Sequence, residues 1–189
     1  MASKFFFTLC LLWCLLLAMA MASSDDDSFA TRLNPKVLKL KKEKLTRFHL
    51  YWHDVVGGSN PTSVPVLPRL DNVTLFGLIN MFDNPLTVGA DPKSRLVGRS
   101  QGLYASTAQH EIGLLMAMNF AFTYGKYKGS SITILGRNPI VNHVREMPVV
   151  GGTGRFRFAR GHALAKTQYF NATTLDAIVE YDIYVLHYY

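Results

Sequence analysis

Residues 178–185 read Ile178-Val179-Glu180-Tyr181-Asp182-Ile183-Tyr184-Val185. Val179, Tyr181, Ile183 and Val185 alternate with Glu180, Asp182 and Tyr184. A period of two in β-branched and aromatic residues is the pattern of a strand with one buried face. The alternation recurs upstream. Phe48, Leu50 and Trp52 alternate with His49, Tyr51 and His53; Ile132 and Ile134 with Thr133 and Leu135; Phe156 and Phe158 with Arg155 and Arg157. Turn chemistry separates the runs: Gly57-Gly58-Ser59-Asn60-Pro61, Asp83-Asn84-Pro85, Gly89-Ala90-Asp91-Pro92, Lys128-Gly129 and Gly151-Gly152-Thr153-Gly154. The last of these reads as a hairpin turn. Strands are expected at 46–55, 63–67, 73–82, 95–107, 111–123, 130–136, 143–149, 155–169 and 176–188. The segment 111–123 could pass as a helix, but Gly113 and its strand neighbours favour β. Hairpin spacing without intervening helices predicts an antiparallel barrel or sandwich. No internal repeat is present.

The 189-residue chain is 49% hydrophobic and 17% charged, which excludes a disordered chain and suits one ordinary domain. Residues 1–22 have the form of a signal peptide. Lys4 supplies a positive start, Phe5–Leu17 an apolar run too short to span a bilayer, and Ala18-Met19-Ala20 and Ala20-Met21-Ala22 small-residue cleavage sites. Cleavage would take the chain from 189 to 167 residues and its net charge from +7 to +6, since Lys4 is the one charge removed. Both cysteines, Cys10 and Cys14, would leave with it, and with them any disulfide, thiolate nucleophile or Cys-based metal site. The mature protein is thus expected to be secreted, with no membrane segment. Asn72-Val73-Thr74 and Asn171-Ala172-Thr173 are glycosylation sequons; Asn60-Pro61-Thr62 is not, because proline occupies the middle position.

Residues 23–45 read as a flexible arm and 46–189 as the β domain. Arg32, Lys36, Lys39, Lys41, Lys42, Lys44 and Arg47 give a basic run offset by Glu43 alone. It suits a solvated arm, or one that holds an acidic wall polymer. A secreted chain without aromatic interleaving in its basic run does not suggest nucleic acid.

The catalytic signatures G-x-S-x-G and H-E-x-x-H, the phosphate-binding loop and the dinucleotide fingerprint are absent. His49 and His53 share a strand face but stand about 13 Å apart at ~3.3 Å per residue, too far for one metal. No metal and no cofactor are expected. An eight-stranded barrel has an interior wide enough for one small ligand. The polar residues that strands could bring to it are His53 and Asp54 at the end of the first strand, Tyr104, Asn138, Arg145 and Thr167.

Several longer motifs carry a resemblance to a known family. They are Tyr51-Trp52-His53-Asp54, Asn60-Pro61-Thr62, Leu96-Val97-Gly98-Arg99-Ser100-Gln101-Gly102-Leu103-Tyr104, Gly125-Lys126-Tyr127-Lys128-Gly129-Ser130, the run Val144–Gly154, Phe156–Gly161 and Val179-Glu180-Tyr181. In content and order they resemble the plant dirigent proteins, from about Phe48 to the C-terminus. The resemblance implies an eight-stranded antiparallel barrel, a homotrimer, and secretion to the apoplast. It implies a small phenolic substrate and stereocontrol of phenoxy radical coupling, the radicals coming from an external laccase or peroxidase. A related legume group, the pterocarpan synthases, dehydrates an isoflavanol and closes its ring; both paths run through a quinone methide. A wall- or carbohydrate-binding barrel without chemistry is the remaining alternative.

By the same resemblance, Asp54 is the pocket carboxylate, Arg145 the pocket cation, and Tyr104 and Thr167 pocket hydroxyls. His53 ranks lower, since a regular strand turns it to the face opposite Asp54. The chain departs from the lignan-forming members at Gly136-Arg137-Asn138-Pro139, where they place a second carboxylate, and it lacks their disulfide. Asn138 cannot take a proton, which weakens a two-carboxylate mechanism and favours another subgroup.

Overall fold

The structure, a computed structural model, describes residues 30–189. The expected signal peptide and residues 23–29 of the arm lie outside the described residues. Nine strands follow in order: β1 (Lys44–Asp54), β2 (Ser63–Leu67), β3 (Ile79–Thr87), β4 (Leu96–Ser106), β5 (Leu114–Phe122), β6 (Ser131–Asn138), β7 (Arg145–Thr153), β8 (Arg160–Phe170) and β9 (Ala177–His187). Short 3-10 turns at Pro35–Leu38, Gly125–Tyr127 and Gly154–Phe156 are the helical segments among the described residues.

All pairings are antiparallel, in the order β1-β9-β8-β7-β6-β5-β4-β3-β2. A short β1–β3 ladder, Tyr51 with Thr87 and Trp52 with Leu86, closes the sheet. Eight strands therefore form a closed barrel, and β2 lies on β3 as an added edge. The expected barrel is the one observed, and 114–122 is a strand. Its inward face holds Phe120, Ile132, Ile134, Met147, Ala163, Tyr181, Ile183 and Val185, all essentially without exposure. Each large apolar side chain of this kind is worth ~1.5–3 kcal/mol on burial. The outward ion pair Arg47–Asp182 is solvent-exposed on the arginine side, where water and salt screen it, so the inward face carries the fold.

Three local expectations do not hold. Residues 73–78 do not begin β3. The Asp71 carboxylate accepts from the amides of Val73 and Thr74, and Leu75 and Gly77 then take left-handed backbone angles, so the chain turns until Ile79. Asp83-Asn84-Pro85 is not a turn but the middle of β3. Pro85 falls between Phe82, paired with Ser63 of β2, and Leu86, paired with Trp52 of β1. A residue without an N–H is tolerated where the strand changes partners. Gly151–Thr153 belong to β7 rather than to a turn, and the connection is the 3-10 turn that follows; a β-carbon on Gly152 would lie 2.5 Å from the Ser131 carbonyl oxygen. The same connection displaces Phe156 and Phe158 from the strand expected at 155–169, which begins at Arg160.

Antiparallel order sets where the polar residues go. The C-terminal ends of β1, β4, β6 and β8 and the N-terminal ends of β3, β5, β7 and β9 share one end of the barrel. Asp54, Tyr104, Asn138, Arg145 and Thr167 all lie toward that end. There β6 and β7 part: their ladder covers Ser131–Ile134, while Arg145 pairs with Ala165 of β8 and Asn138 with Leu114 of β5.

Candidate functional site

Asp54 is buried at the end of β1. One carboxylate oxygen, Oδ1, accepts from Asn84 Nδ2 at 2.9 Å; the other, Oδ2, accepts from the Tyr104 hydroxyl at 3.3 Å. The Tyr104 oxygen itself accepts from Asn80 Nδ2 at 2.7 Å and from Ser63 Oγ at 3.2 Å. Ser63, Asn80, Asn84 and Tyr104 are all buried. Burial raises the Asp54 carboxyl to about 6, against the opposing effect of its hydrogen bonds from Asn84 and Tyr104. Burial, and then the neighbouring Asp54 charge, push the Tyr104 phenol well above its usual range, so it stays a neutral donor.

Arg145 opens β7 and is also buried. Its Nε donates to Asn138 Oδ1 at 3.1 Å across the gap between β6 and β7. Among the described residues it has no carboxylate partner within ion-pair distance. Burial lowers its pKa, opposed by interaction with Tyr181. The fully buried Tyr181 feels both charged groups: burial raises its pKa, Arg145 lowers it and Asp54 raises it. The site is thus a buried carboxyl raised toward neutrality and a buried guanidinium without a carboxylate partner among the described residues, in one barrel end.

Two pairs among the expected residues are brought together: Asp54 with Tyr104, and Asn138 with Arg145. Thr167 pairs with Val179, so it shares that residue's inward face, but it is exposed at the rim. His53 lies apart. It is buried on the opposite face, where its Nε2 meets Thr87 Oγ1 at 2.7 Å, and burial lowers its pKa. Asn72 and Asn171 lie in turns. The Asn171 Oδ1 accepts from the Thr173 amide and the Asn72 Oδ1 from Arg69 Nε, which leaves each Nδ2 outside these bonds.

Ser63, Asn80, Asn84, Ser100 and Tyr181 were not anticipated. The alternation Asn80, Phe82, Asn84, Leu86 marks an inward face with two polar residues, and it was legible once β3 was not broken at Asp83. Four inward polar atoms are buried without a hydrogen-bond partner: Trp52 Nε1, Asn80 Oδ1, Asn84 Oδ1 and Ser100 Oγ.

Two other features fall away from this end. His49, Glu180 and Asp182 place possible metal-ligand atoms within 4.8 Å of one another on the outer wall. Glu180 is bonded to His49, and Asp182 to Arg47, which adds a positive charge against any cation. An apolar cavity of about 300 Å³, lined by Phe48, Val97, Phe122 and Tyr127 among others, lies where β4 begins and β5 ends.

Fold and site together define a closed antiparallel barrel with buried ionisable groups at one end. The sequence model of dirigent-like proteins matches residues 45–186, and the chain belongs to the dirigent family. It is 51% identical to dirigent protein 7 of Arabidopsis thaliana over 92% of this chain and 94% of that one. It is 44% identical to pterocarpan synthase 1 of Glycine max over the full length of both. The solved structure of a pterocarpan synthase dirigent protein superposes with a TM-score of 0.79 at 48% identity, covering 85% of this chain and all of the other.

Proposed function

We propose that the barrel binds a phenolic quinone methide and directs its ring closure, as a pterocarpan-forming isoflavanol dehydratase. The observation that carries this is a single buried carboxyl, Asp54, poised near neutrality in the same barrel end as Arg145, whose other neighbour is the neutral Asn138. The neutral Asp54 carboxyl protonates the leaving benzylic hydroxyl, which departs as water. A phenol on the same ring system gives its proton to solvent, which returns it at the end, and its oxygen becomes the quinone methide carbonyl, stabilised by Arg145. A second phenol oxygen adds to the benzylic carbon. Its proton returns to the Asp54 carboxylate, and the first oxygen is reprotonated. Substrate thus becomes product plus water, with no oxidant consumed. Tyr104 and Asn84 hold Asp54, and Thr167 is a rim hydroxyl for the incoming ligand. Kinship to pterocarpan synthases supports this reading.

A second reading is stereocontrol of phenoxy radical coupling with a separate laccase or peroxidase. It rests on family membership alone, and the neutral Asn138 speaks against a two-carboxylate version. Secretion to the apoplast, glycans on Asn72 and Asn171, and a homotrimer belong to both readings. Purified protein given an isoflavan-4-ol with a free 2′-hydroxyl is expected to form pterocarpan without oxidant. If no product forms, and adding laccase to coniferyl alcohol instead gives enantiomeric excess, the second reading replaces the first.

A further inference from the structure

Asn84 and Ser100 sit directly opposite each other on β3 and β4, facing the barrel interior. Both have no measurable exposure. The Asn84 amide is oriented by Asp54: its Nδ2 must face the carboxylate, so its Oδ1 faces away. That oxygen and Ser100 Oγ are each without a partner. Directly opposed residues have Cβ atoms ~4.5–5.5 Å apart, yet these two do not bond each other. Two buried polar atoms left unpaired on directly opposed residues cost a fold stability unless something else satisfies them. Their chemistry is specific. Asn84 Oδ1 only accepts, whereas Ser100 Oγ donates or accepts. A ligand hydroxyl satisfies both at once, donating to Asn84 and accepting from Ser100. A methoxy or carbonyl oxygen satisfies Ser100 alone and leaves Asn84 Oδ1 unpaired.

We propose that Asn84 and Ser100 form a subsite beside Asp54 that selects a ligand carrying a free hydroxyl over its O-methyl ether. This rests on the isoflavanol reading above and names the group on the substrate that the site inspects. Asn84 has two roles: its amide positions Asp54, and its carbonyl reads the hydroxyl. Ser100 donates to the same ligand oxygen, methylated or not.

The test uses the intact protein and two isoflavans that lack the benzylic hydroxyl and so cannot react, one with a free phenolic hydroxyl and the other its methyl ether. Calorimetry is expected to show wild type favouring the hydroxylated ligand by roughly 10–100-fold, the cost of leaving the one buried Asn84 acceptor unpaired against the ether. Ser100→Ala should weaken both isoflavans alike, by about tenfold, because the Ser100 hydroxyl donates to a hydroxyl or a methoxy oxygen equally, while leaving the melting temperature unchanged or raised, since it deletes an unpaired buried hydroxyl. Asn84→Leu should lose the preference and also turnover of the isoflavan-4-ol; if it does not fold, Ser100→Ala still decides. Unchanged affinity for both isoflavans in Ser100→Ala, with or without a fall in melting temperature, overturns the subsite and assigns Ser100 to internal structure. Asp54→Asn separates the two levels: it should lower turnover by ~10²–10⁴-fold yet keep the hydroxyl preference. Wild type that binds neither isoflavan overturns the substrate class, and the subsite with it.

Discussion

Asp54 costs the fold stability at neutral pH. Its carboxyl titrates near 6 in the folded protein, above the ordinary value of 3.8. Between those values the folded state holds a proton that the unfolded chain has lost, so stability falls as pH rises from about 4 to 6. At 1.36 kcal/mol per pKa unit, the cost at pH 7 is about 2–3 kcal/mol. Asp54→Asn is therefore expected to gain stability relative to wild type as pH moves from 4 to 7, by about that amount, in denaturant titrations at the two pH values. The same substitution should lower turnover by ~10²–10⁴-fold. A fall in stability at pH 7 would instead make Asp54 a structural anchor for Tyr104 and Asn84. The residue-level chemistry was partly legible. Asp54, Tyr104, Asn138 and Arg145 came from motif resemblance, and alternation put His53 on the other face. Asn84 was missed because an Asp-Asn-Pro triplet suggests a turn more strongly than an inward strand face, and Ser100, in an expected strand, because its inward role depends on the partner that β3 places opposite it.

The strands owe their close packing to particular glycines on β4. Gly98 and Gly102 share its inward face with Ser100 and Tyr104. A β-carbon on Gly102 would lie 2.0 Å from the Ala117 carbonyl oxygen of β5, a backbone atom that cannot swing aside. Gly102→Ala is expected to destabilise by ~1–3 kcal/mol, the usual range for overpacking. It should also displace Tyr104 two residues on, and with it the hydrogen bond to Asp54. Thermal unfolding and turnover report the two effects; an unchanged melting temperature would show that β4 can shift without loss. Element existence was legible, since period-two alternation sees each strand alone. Boundaries were not. The start of β3 depends on the Asp71 carboxylate capturing two amides, and Pro85 is admitted only because two different strands flank it.

At the scale of the whole molecule, the edge strand β2 presents Val64, Val66 and Leu67, with Leu70 just beyond at 80% exposure. Pro65 withholds a donor from that edge, which guards against open-ended strand pairing. Exposed apolar surface of this kind suits a closed cyclic assembly. Light scattering at micromolar concentration is expected to give three chain masses; one chain mass would exclude the homotrimer proposed with the function. Alternation determined from sequence that the chain is all-β, and the absence of helices between strands made every neighbour antiparallel. Those properties are local, set by side-chain period and turn residues. Closure into a barrel, the parting of β6 from β7, and the partnership of Asp54 with Asn84 and Tyr104 were decided only by tertiary structure. They depend on the register between strands distant in the chain, and period-two patterning fixes which face a residue takes without fixing which residue it meets.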